Sequence, residues 1–399
     1  MNSAASILVD LTDILVFSST SASPTGIQRV QLDVFPRLLQ ANPNIVPVYF
    51  DAIRRQFRKL DFNAMKNGDK SYCLVVARTS QKWLARIQSS LGKSAVPLGE
   101  IVSLKNGDTI YVAGAGWFPR ARQPMLRCLA RKGINLIWMC FDLVPLQSPV
   151  NALPFGYRKA SGFRKWLDGA LEDHGKFICI SEHVRNGLET HAASLGLSVD
   201  AVTVPLAHEF RFNQAPPSLR VSTLAKQSFA LYVSSLGLRK NHMALLQSWQ
   251  RLKSVHGPAM PKLVLVGSPW KETDIFPFLE ATNWLDGSVF HLSGLPDSDL
   301  AFLYKSCRFT VYPSLNEGWG LPVGESLWMG KPCVCADNSS LPEVGRNWVT
   351  YFKADEPSSM DQALDRAIRG DFDGLPPDQS QLRTWEMVAA EIADQVLKR

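Results

Sequence analysis

Several absences narrow the reading before any motif is considered. The 399 residues hold no stretch of about 18 uncharged apolar residues, so no membrane-crossing helix is expected. No short repeat or low-complexity tract is visible, which argues against a solenoid or an extended disordered linker. The seven cysteines (Cys73, Cys128, Cys140, Cys179, Cys307, Cys333, Cys335) are odd in number and fall mostly in apolar runs. Cys333-x-Cys335 is neither a redox nor a zinc spacing, so buried thiols in a reducing compartment, the cytoplasm, are expected. The apolar run 7–17 contains Asp10 and Asp13 and no basic residue precedes it, which predicts a β-strand rather than a leader peptide. Asp297-Ser298-Asp299 reads as a helix start and Asp371-Phe372-Asp373 as a loop. Neither has further ligands beside it, so no resident metal is expected.

What is present is ordinary in bulk and specific in detail. Hydrophobic residues make up 46% and charged ones 20%, a composition that can bury large cores, and the length suits two or three domains. A net charge of +7 favours anionic partners such as phosphates or an acidic bilayer surface. The basic residues are not interleaved with aromatics as in a single-strand groove, so nucleic acid is not an expected partner.

Short β-rich runs at 7–11, 45–50, 72–76, 109–113, 135–139, 177–180 and 202–204 alternate with helical segments such as 26–40 and 120–132. From about residue 229 the rhythm restarts, with runs at 230–233, 263–266, 289–292, 310–312, 333–336 and 349–352 and helical segments at 242–253 and 297–306. Such alternation predicts parallel sheets covered by helices, and the restart predicts two Rossmann-like domains facing a cleft. We expect a first domain at 1–212, a polar, proline-bearing linker at 213–228, a second domain at 229–380, and a helix at 381–399 that returns to the first domain.

The second half is organised around residues 312–345, YPSLNEGWGLPVGESLWMGKPCVCADNSSLPEVG. Glu317 precedes a Gly318-Trp319-Gly320 loop, Leu321 and Pro322 open a helix, and Glu325 lies in its first turns. Glycines let backbone N–H groups approach a ligand, and a helix start favours an anion. Two carboxylates flanking such a loop can accept hydrogen bonds from hydroxyls at both ends of one ligand, which describes a nucleotide sugar. Taken alone, Glu317 reads equally as a solvated loop residue and Glu325 as a helix-start acid. The stretch 232–241, YVSSLGLRKN, adds a loop with Ser235 and Gly237 and then Arg239-Lys240 at a strand's carboxyl end, a pair suited to a diphosphate. In the first half, Gly26 and Arg29 face a helix start, and Asp142 of FDLVP follows a strand, where it reads either as a group acting on the sugar or acceptor or as an Asp starting a turn. Ser181 is a natural N-cap beside His183. Gly114-Ala115-Gly116 is only half of a dinucleotide fingerprint, since Pro119 stands where a third glycine belongs. The stretches RRQFRK (54–59) and YRKASGFRKWL (157–167) read either as solvated faces or as anionic-bilayer contacts with Phe163 or Trp166 dipping in.

The set of TGIQRV, RKN, PSLNEGWGLPVGES and LPEVG resembles the family-4 retaining glycosyltransferases, whose fold is GT-B. The resemblance implies that Arg239 and Lys240 hold the donor diphosphate and that Glu317 with the Gly318–Leu321 backbone holds the sugar. It places Glu325 on the ribose hydroxyls and Gly26 on phosphate from the other domain. It implies metal-independent hexose transfer with retention and a nucleotide-sugar donor, first GDP-mannose, rather than a cofactor. The acceptor would be a cell-surface glycan or lipid-linked oligosaccharide, met at the cytoplasmic face of the inner membrane. Two departures are visible: Phe141 where the family often has His, and Ala207 where Gly is usual. A non-catalytic sugar-nucleotide or polysaccharide-binding subunit and a sugar-nucleotide epimerase remain alternatives.

Overall fold

The computed structural model describes residues 5–20, 26–42, 44–63, 99–147, 157–269 and 275–398. The expected strand at 72–76 and Cys73 lie outside them. The first sheet contains β1 (Ile7–Asp10), β2 (Ile45–Asp51), β3 (Gln56–Lys59), β4 (Thr109–Val112), β5 (Asn135–Cys140), β6 (Lys176–Cys179) and β7 (Asp200–Thr203). They run in the order β3-β2-β1-β4-β5-β6-β7, parallel except for β3. The second sheet contains β8 (Phe229–Val233), β9 (Lys262–Val266), β10 (Val289–Leu292), β11 (Phe309–Tyr312), β12 (Cys333–Ala336) and β13 (Thr350–Phe352). Its order is β10-β9-β8-β11-β12-β13, with its neighbouring strands parallel. Central strands such as FTVY and CVCA are buried along their whole length, as both faces of a helix-covered parallel sheet must be. Strand order reverses between β1 and β4 and between β8 and β11, and a crevice opens beyond the carboxyl ends of strands at such a point.

Four local expectations change in the structure. The apolar run 7–17 is not one strand: β1 stops at Asp10, whose carboxylate accepts from the Thr12 N–H at 3.0 Å and from its hydroxyl, and a helix Thr12–Thr20 follows. Gly26 and Arg29 therefore follow a helix rather than a strand. The RRQFRK stretch is a turn at Arg54-Arg55 leading into the antiparallel edge strand β3, and three of its four cations are paired: Arg54 and Arg58 reach Asp51, and Lys59 reaches Glu100. The linker contains a helix, Leu219–Leu224, capped by Ser218, which is itself held by Asp299 at 2.7 and 2.8 Å. Its Val221 and Leu224 join the second core. Phe163 and Trp166 do not face a bilayer; both are buried in an aromatic cluster with Trp117 and Trp138. Among the cysteines, Cys140, Cys179, Cys307, Cys333 and Cys335 are buried free thiols, whereas Cys128 is exposed. Among the described residues, no helix is long and apolar enough to cross a membrane.

The chain returns at its end. Helix Trp385–Leu397 buries Val388, Ile392 and Val396 and packs on helix Gly26–Ala41 of the first unit. Lys176 Nζ donates to Gln395 at 3.0 Å, and Arg37 pairs with Glu386 at 3.1 Å. The outgoing and returning segments are bonded to one another: His208 N–H donates to the Arg383 carbonyl at 2.9 Å and Trp385 Nε1 to the Glu209 carbonyl at 3.0 Å. Arg383 N–H donates to His208 Nδ1, so the ring carries its proton on Nε2, facing the Val344 carbonyl at 3.2 Å. Burial holds the His208 ring at a pKa of about 4 and therefore neutral.

Candidate active site

The glycine loop leaves β11 at Tyr312 and runs into helix Leu321–Trp328. Gly320 enters that helix at φ 108°, a conformation that L side chains rarely adopt. Buried Ser340 fixes the loop by donating to the carbonyls of Glu317 at 3.0 Å and Trp319 at 2.9 Å. Ser339 Oγ receives the Glu317 N–H at 3.0 Å.

Within this frame the Glu317 carboxylate is buried against cations from the first loop of the same sheet. Lys240 Nζ bonds Oε1, Arg239 NH1 stands at 3.0 Å, and Ser314 and Tyr312 hydroxyls donate at 2.5 and 3.1 Å. Lys240 also donates to Tyr312 at 3.1 Å, and Tyr232 donates to the Lys240 carbonyl at 2.6 Å. Burial alone would raise the Glu317 carboxyl, but Arg239, Lys240 and the hydrogen bonds outweigh it and hold it at about 2. Burial, with Arg239 nearby, lowers the Lys240 ammonium to about 8 against the pull of Glu317. At neutral pH the pair is ionised. The Ser235–Gly237 loop precedes these cations and is braced by Leu236 N–H on the Ser268 carbonyl at 3.0 Å.

Glu325 is held differently. Tyr304 OH donates to Oε2 at 2.8 Å from within the second unit, while Arg29 NH1 reaches Oε1 at 2.9 Å from the first. Arg29 also bonds Asp297 and lies over the Phe210 ring, 5.3 Å from its centroid. Burial raises the Glu325 carboxyl, and Arg29 and Tyr304 oppose that shift.

The two units meet closely along the cleft. A Cβ on Gly318 would stand 1.9 Å from the Phe141 carbonyl oxygen, so this glycine is required by the domain contact. A Cβ on Gly324 would stand 3.0 Å from His208 Cα, and one on Gly26 would stand 3.6 Å from Leu321. Asp142 accepts from Val144 N–H at 3.1 Å; burial raises its carboxyl while Arg239 opposes. Asn316 Nδ2 donates to Gln147 across the cleft at 3.1 Å. Glu343 of LPEVG accepts the N–H groups of Glu182 and His183 at 2.7 and 2.8 Å, at the start of helix Glu182–Ser194. Ser181 caps that helix through the Val184 N–H.

Glu317, Gly318, Arg239, Lys240 and Asp142 converge at one place. Arg29 is paired with the carboxylates of Glu325 and Asp297. Gly114 and Gly116 are packing positions, against Asp13 and Gln31 and against Trp166 respectively. Tyr304, Tyr312, Ser314, Ser339, Ser340 and Glu343 were not singled out. The serines and Asn338 follow β11 and β12 at their carboxyl ends, a placement that could have flagged them. The two tyrosines lie in apolar runs that read as core.

Residues 219–373 match the family model of the glycosyl transferases group 1. The O-antigen chain mannosyltransferase B of Escherichia coli is 40% identical over 128 residues, covering 32% of this chain and 33% of that protein. The serotype-specific mannosyltransferase WbdA of Escherichia coli is 22% identical over 255 residues, 60% of this chain and 30% of that one. The chain thus spans about a third of the length of these curated relatives. Among solved structures, sucrose-phosphate synthase from Thermosynechococcus elongatus superposes with a TM-score of 0.58 at 13% identity, covering 98% of this chain and 94% of that one. WaaG, a glycosyltransferase involved in lipopolysaccharide biosynthesis, gives 0.54 at 13% identity, covering 97% and 95%. At such identities the likeness concerns the fold, which extends over nearly the whole chain. Together with the family match over residues 219–373, it gives this chain a GT-B fold whose second unit is similar to the glycosyl transferases group 1.

Proposed function

We propose that the chain transfers a hexose, with mannose the first choice, from a nucleotide sugar to a growing glycan or lipid-linked oligosaccharide, with retention and without a metal. The observation that carries this reading is the convergence of Arg239, Lys240 and Glu317 beyond the carboxyl ends of β8 and β11, opposite Asp142 of the first unit. The names of the curated relatives support mannose as the sugar.

In this reading the donor diphosphate takes Arg239 and Lys240 from Glu317, which then faces the sugar hydroxyls. The bond from the sugar C1 to the diphosphate oxygen breaks, with the leaving charge met by the two cations. Charge stabilisation of this kind is usually the largest catalytic contribution. The acceptor oxygen bonds C1 from the same face, and its proton passes to the departing diphosphate. Asp142 stands beside the Gly318 backbone, where sugar and acceptor would meet. The tight contact of Gly318 with Phe141 then serves to exclude water from that junction. A lipid-linked acceptor would bring the protein to the cytoplasmic face of a membrane, with exposed Arg164 and Lys165 as cations available to it.

The test is nucleoside diphosphate release from GDP-, UDP- and dTDP-sugars in EDTA, with and without a lipid-linked oligosaccharide extract. Acceptor-dependent release from one donor supports the reading and names the base. Release that requires added divalent metal removes the metal-independent part. Binding of a donor without release under any condition favours a non-catalytic subunit.

A further inference from the structure

The contact joining the two units at Glu325 contains one more acid than closure requires. Arg29 donates to both Glu325 and Asp297, and these acids differ in setting: the Glu325 side chain is 7% exposed and that of Asp297 49%. Asp297 opens helix Asp297–Ser306, and Tyr304, two turns along that helix, is the residue that bonds the other oxygen of Glu325. One helix therefore carries both the group that holds Glu325 and the second acid for Arg29.

Resting on the donor reading of Glu325, we propose that Asp297 is a positioning residue for nucleotide binding: when ribose hydroxyls take Glu325, Arg29 releases that carboxylate and stays on Asp297, while Tyr304 keeps Glu325 in place. The physical reason is the cost of stranding a charge. Arg29 is only 24% exposed, and leaving it unpaired as the ligand enters would oppose binding. A second acid already in contact removes that cost, so the neutral hydroxyls displace one arm of a two-armed bridge rather than a sole counter-ion. Tyr304 donates from a fully buried position, so the carboxylate does not turn away when Arg29 leaves.

The exchange predicts effects of opposite sign. Nucleoside diphosphate affinity of the full chain would be measured by calorimetric titration with GDP and with UDP, and folding of each variant checked by thermal unfolding. Arg29→Gln removes the competitor and should tighten binding about tenfold, within the usual range of site–site coupling. Asp297→Asn leaves Arg29 with Glu325 alone and should weaken binding by a similar factor. In the Arg29→Gln background, Asp297→Asn should have no further effect, because Asp297 acts through Arg29. Arg29→Lys, one point charge without the fork, should fall between wild type and Arg29→Gln. A merely structural clasp would shift both single variants in the same direction, and that result overturns the proposal. So does weaker binding by Arg29→Gln, the behaviour of a direct phosphate contact, or an Asp297→Asn effect that survives in the double variant. If the wild type binds neither diphosphate, the donor reading of Glu325 falls and this proposal with it; if it binds one but the signs fail, only the proposal falls.

Discussion

Glu317 and Glu325 share one loop and helix, with seven residues between them, yet they are held in opposite ways. Every partner of Glu317 named above belongs to the second unit: two cations, two hydroxyls and two serines on its backbone. Glu325 has one partner from its own unit and takes its cation from the other. The first carboxylate is organised by a single sheet; the second is completed only when the units meet. A site built this way has a fixed half and an assembled half. Under the proposed function, charge chemistry would fall to the fixed half, and the assembled half would recognise the far end of the ligand.

The comparison breaks most sharply at Lys240. Lys240→Ala should lower turnover by ~10²–10³ with a smaller change in donor binding, read as kcat against KM. Full activity in that variant would remove the fixed half from the chemistry. Gly318→Ala should come next, at roughly 10² in turnover, because its Cβ meets the Phe141 carbonyl and keeps the units apart, and a misplacement of about 1 Å is worth that much. Its melting temperature should stay near wild type, since the clash lies between units rather than within a core. Glu325→Gln should mainly raise donor KM, by about tenfold, as loss of a charge-assisted bond predicts. An equal loss in kcat would place it with Glu317. The smallest effect is a pH dependence. Burial lowers Lys240 to about 8 and it loses its charge above that value, so turnover should fall between pH 8 and 9 with a smaller change in donor KM. Lys240→Arg, charged throughout, should flatten that fall.

Much of this arrangement was legible in the chain. Period, turn residues and the restart near 229 give two helix-covered sheets because apolar runs of four to six residues cannot satisfy both burial and backbone bonding in any other simple way. Helix 297–306 coincides with the observed Asp297–Ser306. Glu317, Lys240 and Arg239 could be grouped because each follows a strand of the same sheet. What escaped depends on long-range geometry. Nothing local to Arg29 says that its partner lies 296 residues away, and Tyr304 reads as core because it is core, with only its hydroxyl engaged. Phe163 and Trp166 misled for the converse reason: neighbouring Arg and Lys suggested a surface, while the aromatic rings turn inward on Trp117 and Trp138. The helix inside the polar linker depends on Asp299, a partner 81 residues further on.

The chain passes between the units twice, and at 208–209 and 383–385 the two passages are laced to each other by backbone and indole bonds. Two covalent strands fastened at one place act as a single pin. Parting of the units is then a swing about that line, because sliding or twisting would have to stretch both strands together. Arg29 and Glu325, Gln147 and Asn316, and Phe141 and Gly318 are therefore not independent latches. They sit on the two leaves of one door, and releasing any of them lightens the same movement.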